Sequence, residues 1–280
     1  MGLVLYNGEF LNDEKPVLPI NNRAFHYADG VFESFRVVNG KACFLPIHFN
    51  RALSGLKAMK IVLPEGLDAI RFQELVDELI ERNNITKGGR GRFTVFRAGP
   101  GHYQPKGNEA DYTIELYEYS DNDYTLNDEG YIVDIYPEIK KPVNMLSVYK
   151  SLNAQVYIMA SLWCKQNDLT DCLLLNDKGN IIETSCANIF IVSNGVLYTP
   201  HLDDGCVGGT MRMHVINSAL ENEIKVYECS LTPQNLLAAD EVFLTNAIKG
   251  IQWVSGYRTK RYFHKISDQL VDKLNQKISN

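Results

Sequence analysis

The sequence predicts an α+β protein of two domains, and three features carry that expectation. Runs of strand-like alternation follow one another through short turn signals, the pattern of antiparallel sheets. Two helical stretches with apolar stripes stand together, segregated from the strands instead of alternating with them. The stretch Ser120-Asp121-Asn122-Asp123-Tyr124-Thr125-Leu126-Asn127-Asp128 is polar and has no periodicity. It is the expected linker, which gives domains of 1–120 and 121–280.

In chain order, Val4–Asn12 reads as a hairpin around Asn7-Gly8. Asn22–Gly30 is expected to be a loop carrying polar groups and aromatics. Val31–Val38 is a strand that turns at Asn39-Gly40 into Ala42–Leu45. Ile47–Lys60 is helical, with Phe49, Leu53, Leu56 and Met59 on one stripe and His48 and Arg51 flanking it. A second helix covers Leu67–Asn83, with Ile70, Leu75, Leu79 and Ile80 inward. Arg92–Arg97 and Tyr112–Tyr117 alternate as strands, separated by the stiffened loop Ala98–Pro105.

The second half opens with a strand at Tyr131–Tyr136 and a helix over Asn153–Gln166, with Val156, Ala160 and Trp163 at helical spacing. Asp171–Asn176 turns at Asp177-Lys178-Gly179 into Ile181–Thr184. Asn188–Val192 pairs with Val196–Thr199 through Ser193-Asn194-Gly195. A helix follows Gly208-Gly209, with Met213, Ile216 and Leu220 inward, and Glu241–Ala247 is a late strand.

At 280 residues and 45% hydrophobic, the chain can bury a sizeable core. The net charge of -6 is spread over both signs without a basic stripe, so nucleic acid is not an expected partner. No apolar run approaches about 18 residues, so no membrane span is expected. The six cysteines form no CxxC pair and no zinc-spaced cluster with histidine. Mostly buried, reduced thiols, a cytoplasmic location and no metal site are the expectation.

The chemistry centres on Lys150, in Ser147-Val148-Tyr149-Lys150-Ser151-Leu152-Asn153, between a strand and a helix. An ammonium is expensive to bury without a partner, and a buried lysine becomes a usable amine nucleophile and base. Glu183 stands at a strand end beside the small residues Ser185, Cys186 and Ala187. Gly208-Gly209 precede a helix start, where backbone amides and the helix dipole favour an anion. Thr245 and Asn246 end a strand with a hydroxyl and an amide that could cap the same anion. Each feature alone has an ordinary reading: a surface lysine, a strand-end charge, a common helix start, a turn. Together they supply an amine nucleophile, a carboxylate and two anion cradles, which is what pyridoxal 5′-phosphate (PLP) needs.

The ordered set from Tyr27-Ala28-Asp29-Gly30-Val31-Phe32-Glu33, through Lys150 and Glu183-Thr184-Ser185-Cys186-Ala187-Asn188-Ile189-Phe190, to Gly209-Thr210-Met211-Arg212 and Thr245-Asn246 resembles one family. It is that of the class IV, or fold-type-IV, PLP enzymes: branched-chain and D-amino acid aminotransferases and aminodeoxychorismate lyase. The resemblance implies a small N-terminal α/β sandwich, a larger C-terminal pseudo-barrel domain, and a homodimer acting on a small molecule. Residue by residue, it implies that Lys150 is joined to the cofactor's aldehyde and moves protons during turnover. Glu183 would hold the ring nitrogen's proton, and Arg51 would meet the phosphate with the amides of Thr210 and Met211 and with Thr245 and Asn246. Asn153 would lie near the ring. Tyr27, Glu33, Arg97 and His102 are the substrate candidates, with Arg97 or His102 for a carboxylate.

Two positions depart from the family pattern. Thr210 stands where an aliphatic residue is usual, and Ala154 stands where many members place a tyrosine for the cofactor's phenolic oxygen. Phe32-Glu33-Ser34-Phe35-Arg36, Lys150-Ser151-Leu152-Asn153 and Thr199-Pro200-His201-Leu202-Asp203 are similar to lyase forms. Aminodeoxychorismate lyase is the first expectation, an amino acid aminotransferase the alternative, and a non-catalytic PLP-binding protein the remote third.

Overall fold

The structure, a computed structural model, describes residues 2–14 and 18–279. The chain forms two compact units, Met1–Asp123 with Tyr149–Asn153, and Tyr124–Val148 with Ala154–Asn280. The expected two-segment division has no counterpart for Tyr149–Asn153, which return to the first unit.

The first unit contains β1 (Leu3–Tyr6), β2 (Glu9–Asn12), α1 (Arg23–Tyr27), β3 (Gly30–Val38), β4 (Lys41–Ala42), α2 (Leu45–Ala58), α3 (Ala69–Arg82), β5 (Gly89–Arg97) and β6 (Ala110–Glu118). Its sheet is antiparallel throughout, in the order β2-β1-β6-β5-β3-β4. Asn7 and Gly8 close the first hairpin at φ 49° and 88°, the left-handed pair that a two-residue turn requires. Asp68 caps α3 by accepting the Arg71 amide at 2.8 Å. Leu5, Phe35, Phe49, Phe72, Phe93 and Ile114 form the core, with the Phe72 and Phe93 ring centroids 4.5 Å apart.

Three expectations are corrected here. The predicted Asn22–Gly30 loop contains α1, capped by the Asn22 side chain at the Ala24 amide and ended by Ala28 at φ 51°. Five residues are too few to display a 3.6-residue period. Ile70 on α3 is 72% exposed and Leu53 on α2 is exposed, while Phe72 fills the inward position on α3. A large aromatic two residues on rotates the packing face away from Ile70.

The second unit contains β7 (Tyr131–Ile135), α4 (Gln155–Gln166), β8 (Asp171–Leu175), β9 (Ile181–Thr184), β10 (Asn188–Ser193), β11 (Val196–Thr199), α5 (Thr210–Glu221), β12 (Val226–Glu228), α6 (Pro233–Ala238), β13 (Glu241–Asn246), β14 (Gly250–Tyr257), β15 (Lys260–Arg261) and α7 (Lys265–Ser279). Its nine-stranded sheet runs β12-β11-β10-β13-β14-β7-β8-β9, with β15 on β14. The pairs β11/β12, β14/β7 and β7/β8 are parallel and the others antiparallel. Phe190 and Phe243 stack at 5.1 Å beneath α5 and α7.

The inward face of α5 also differs from expectation. Met213 and Leu220 are exposed, and Met211, Arg212, Val215, Ser218 and Ala219 are buried. Arg212 can go inward because its guanidinium donates to the Pro200 carbonyl at 2.8 Å and to Glu228 at 2.6 Å. On α4, Ala160 and Cys164 are buried while Ile158, Met159 and Leu162 stay exposed, so that helix is buried on a narrower face than its composition suggests.

Candidate active site

Glu183 lies on β9 opposite Leu174 of β8 and is 3% exposed. Its Oε1 accepts from Lys141 Nζ at 2.6 Å and from the Tyr157 hydroxyl at 2.8 Å, and its Oε2 accepts from the Val207 amide at 2.8 Å. A carboxylate so far from water is tolerable only with such partners. Lys141 is held in place by its own amide, which donates to the Leu175 carbonyl at 2.9 Å. Tyr157 reaches in from the first turn of α4, and burial, then the Glu183 charge, push its hydroxyl pKa upward.

The two stretches expected to cradle an anion are linked through Asn188 in this unit. Asn188 opens β10, pairs across strands with Thr245 of β13, and donates its side-chain amide to the Val207 carbonyl at 2.7 Å. The next turn of chain is Gly208-Gly209, and a Cβ on Gly209 would sit 1.9 Å from Asn188 Oδ1, so any larger residue there must displace the Asn188 side chain. No side chain caps the start of α5 at Thr210 and Met211, and uncapped helix-start amides are a setting that favours anions. Thr245 Oγ1 is buried and meets no hydrogen-bond partner among the described residues. Asn246 Oδ1 accepts from the Ile248 and Lys249 amides at 3.0 and 2.8 Å, which fixes the loop after β13.

In the first unit, Tyr149–Asn153 lie along the start of β3. The Phe32 amide donates to the Lys150 carbonyl at 2.8 Å and the Leu152 amide to the Gly30 carbonyl at 3.0 Å. Lys150 is half-buried, with Nζ 4.3 Å from the Phe32 ring centroid. Asn153 is exposed at the end of this segment. Arg51, one turn past His48 on α2, donates Nε to Glu33 Oε1 at 2.8 Å. His48 Nδ1 lies 2.7 Å from Glu33 Oε2. Burial would raise the Glu33 pKa, but Arg51 and the His48 bond outweigh it and hold the carboxyl below the ordinary range. Burial pushes His48 down, helped by the Arg51 and Lys150 charges, so its neutral ring donates from Nδ1.

The substrate candidates separate by environment. Glu33 is a buried partner of Arg51 and His48. Arg97 is buried and donates to Asp29 at 3.0 Å, Asn108 at 2.7 Å, and the Lys60 and Met59 carbonyls at 3.1 and 2.8 Å. Arg97, a candidate for a substrate carboxylate, is thus engaged by two side chains and two carbonyls of the protein. His102 is exposed, and its carbonyl accepts from Arg23 at 2.8 Å. Tyr27 is half-buried, its ring 5.6 Å from that of Tyr103.

A sequence model of the amino-transferase class IV family matches residues 30–257. The chain belongs to the class IV aminotransferase family. Among its relatives, D-alanine aminotransferase of Listeria monocytogenes is 26% identical over 91% of this chain and 90% of its own. Aminodeoxychorismate lyase of Vibrio harveyi is 26% identical over 85% of this chain and 87% of its own. The branched-chain aminotransferase structure from Thermoproteus uzoniensis has the same fold, with a TM-score of 0.89 and 24% identity over 99% of this chain and 94% of that one. This class IV chain is thus a fold-type-IV α+β enzyme of the PLP-dependent group.

The class IV chain's own residues fit that cofactor. The orphaned Thr245 hydroxyl and the uncapped start of α5 suit a phosphate, and Glu183 suits a ring nitrogen that carries a proton. Lys141 and Tyr157 are the neighbours that sequence reasoning missed. Their contacts with Glu183 span 42 and 26 residues, and neither lies in a motif. The fold also gathers Cys164, Asp171 and Cys172 with ligand atoms within 4.8 Å, although their spacing shows no cluster. Cys172 donates its thiol to the Ala160 carbonyl at 3.4 Å, and Asp171 Oδ1 accepts the Cys172 and Ser185 amides, so the group is occupied internally.

Proposed function

We propose that this PLP-dependent enzyme is an aminodeoxychorismate lyase, which converts 4-amino-4-deoxychorismate to 4-aminobenzoate and pyruvate. When bound, PLP supplies an aldehyde for amines and a ring that withdraws electrons from the carbon bearing the amine. Lys150 holds the cofactor and moves the proton at that carbon. Glu183 keeps the ring nitrogen's proton in place by a charge-assisted bond. The Thr210 and Met211 amides, the Thr245 hydroxyl and the loop fixed by Asn246 receive the phosphate, and Arg51, oriented by Glu33, supplies positive charge. Asn153 lines the ring; Tyr27 and His102 are the remaining substrate contacts. The observation that supports this cofactor placement is the orphaned Thr245 hydroxyl, with Asn188 between it and the Gly209 helix start.

The likeness of Lys150-Ser151-Leu152-Asn153 to lyase forms favours lyase chemistry. The D-alanine aminotransferase relative supports the second reading, transfer of the amino group to a keto acid. The same proton loss starts both reactions, so the fate of the substrate decides between them. Purified holoenzyme incubated with aminodeoxychorismate should yield 4-aminobenzoate and pyruvate. Keto acid formation from D- or L-amino acids plus 2-oxoglutarate, without 4-aminobenzoate from aminodeoxychorismate, would establish the second reading instead. We further propose a homodimer, checked by sedimentation, in the cytoplasm, where a chain with six unpaired cysteines stays reduced.

A further inference from the structure

Arg23 opens α1 and is buried, yet its contacts run to a loop far along the chain. Its Nε donates to Asp29 Oδ2 at 2.8 Å, and its Nη1 donates to the Gly101 and His102 carbonyls at 3.0 and 2.8 Å. The guanidinium also lies 5.0 Å from the Tyr27 ring centroid. Asp29 Oδ2 accepts a second guanidinium, from Arg97 Nε at 3.0 Å. Arg97 ends β5 and donates Nη1 to the Asn108 side chain at 2.7 Å, so it joins the two ends of the loop that leads to β6. Within the loop, the Ala98 amide donates to the Glu109 carbonyl at 2.8 Å and the Lys106 amide to the Pro100 carbonyl at 3.2 Å. One carboxylate oxygen thus ties α1 to the base of the loop through Arg97 and to its tip through Arg23.

We propose that Arg23 and Asp29 are positioning residues. Through them α1 holds the 98–106 loop as a fixed wall, with Tyr27 and His102 set before the substrate arrives, instead of a lid that closes over it. The proposal rests on Tyr27 and His102 being the substrate contacts given above.

The tip of the loop has no apolar anchor of its own. His102, Tyr103 and Gln104 are exposed, and Tyr103, at 92%, touches the rest of the unit by lying 5.6 Å from the Tyr27 ring. A segment with so little burial opens easily unless hydrogen bonds hold it. The two bonds from Arg23 supply that hold, and they go to main-chain carbonyls, so they fix the path of the chain whatever side chains the tip carries. The planar fork of an arginine can meet Asp29 on one edge and the loop on another, which a single ammonium cannot do. A loop that is in place only part of the time would complete the site only in that fraction, and apparent substrate affinity would fall by the same factor. The step that follows binding would be unaffected.

The test pairs hydrogen exchange with kinetics on the holoenzyme. Arg23→Met should speed exchange of the Lys106 amide by about tenfold or more and leave the Ala98 amide, beside Arg97, unchanged. Asp29→Asn should speed both, since both guanidinia lose their shared partner. Exchange along β5 and β6 shows whether the fold as a whole has loosened. With aminodeoxychorismate, or with D-alanine and 2-oxoglutarate where only transfer is seen, Arg23→Met should raise KM by about tenfold and leave kcat within about twofold. Arg23→Lys keeps a charge on Asp29 without the fork and should behave as Arg23→Met does, which covers a methionine variant that fails to fold. Unchanged exchange at Lys106 in the folded variants would overturn the proposal. So would an unchanged KM in them while Tyr27→Phe or His102→Ala raises it. If Tyr27→Phe and His102→Ala leave KM unchanged as well, the substrate contacts fail and the positioning role falls with them.

Discussion

Arg51 grips both oxygens of Glu33, through Nε at 2.8 Å and Nη2 at 2.5 Å, while His48 Nδ1 shares Oε2 at 2.7 Å. The residue expected at the substrate thus holds the residue expected at the phosphate. A two-pronged pair of this kind fixes the plane of the guanidinium as well as its position.

Acid lability follows from this cluster. Both Glu33 and His48 have folded pKa values below their ordinary ones. For His48, the stabilisation is present above the unfolded value of about 6.5 and is lost as pH falls through the folded value. For Glu33, it is present above about 4.3 and is lost below that in the same sense. Thermal unfolding between about pH 7 and pH 5 should show a falling midpoint, and His48→Gln should flatten that limb. Glu33→Gln should lower stability near neutrality by about 3–5 kcal/mol, since the buried negative charge between Arg51 and His48 is removed.

Lys150→Ala should lose turnover by about a thousandfold or more, the upper range for a proton-transferring group. The fold should persist, because Lys150 is half-buried and contributes its backbone, not its side chain, to the pairing with β3. Borohydride trapping of cofactor on the protein should vanish. The His48 titration, followed by NMR, should move upward once the neighbouring charge is gone. Near-native turnover would remove Lys150 from its assigned role.

Thr245→Val keeps the shape and removes a buried hydroxyl that has no protein partner. The apo-protein should be equally stable or slightly more so, since an unsatisfied buried donor is unfavourable. PLP affinity should fall by a factor of about 5, corresponding to one lost hydrogen bond of about 1 kcal/mol. Equilibrium dialysis and apo-protein melting together check both signs.

Gly209→Ala and Gly208→Ala should differ sharply. The added Cβ lies 1.9 Å from Asn188 Oδ1 at position 209, and no nearer than 3.7 Å to its neighbours at position 208. The first substitution should cost about 1–3 kcal/mol and weaken phosphate binding by displacing Asn188. The second should be close to neutral in denaturant melts.

Most strands were legible in the sequence because alternation and turn residues agree, as at Asn7-Gly8 and along β3, β5 and β6. Helix faces were less so. The α5 face is set by a buried arginine that finds partners on β12 and before the Leu202–Asp204 turn, and no periodicity of apolar residues records that. Lys150, Glu183 and the glycine turn stand out in the sequence because their order along the chain is specific. Lys141 does not, because its contact with Glu183 joins residues 42 apart and no motif records it. Arg97 stands out in the sequence as a candidate for a carboxylate, and only the folded chain shows that Asp29, Asn108 and two carbonyls engage it.

The return of Tyr149–Asn153 to the first unit, after Tyr124–Val148 have already entered the second, has a consequence for recombination. A chimera with one crossover near Asp123 would give β3 a foreign neighbour at its Gly30–Phe32 end. Gene shuffling between relatives should therefore yield folded offspring mainly when this five-residue strip travels with the N-terminal parent, and swapping specificity between them takes three junctions instead of one.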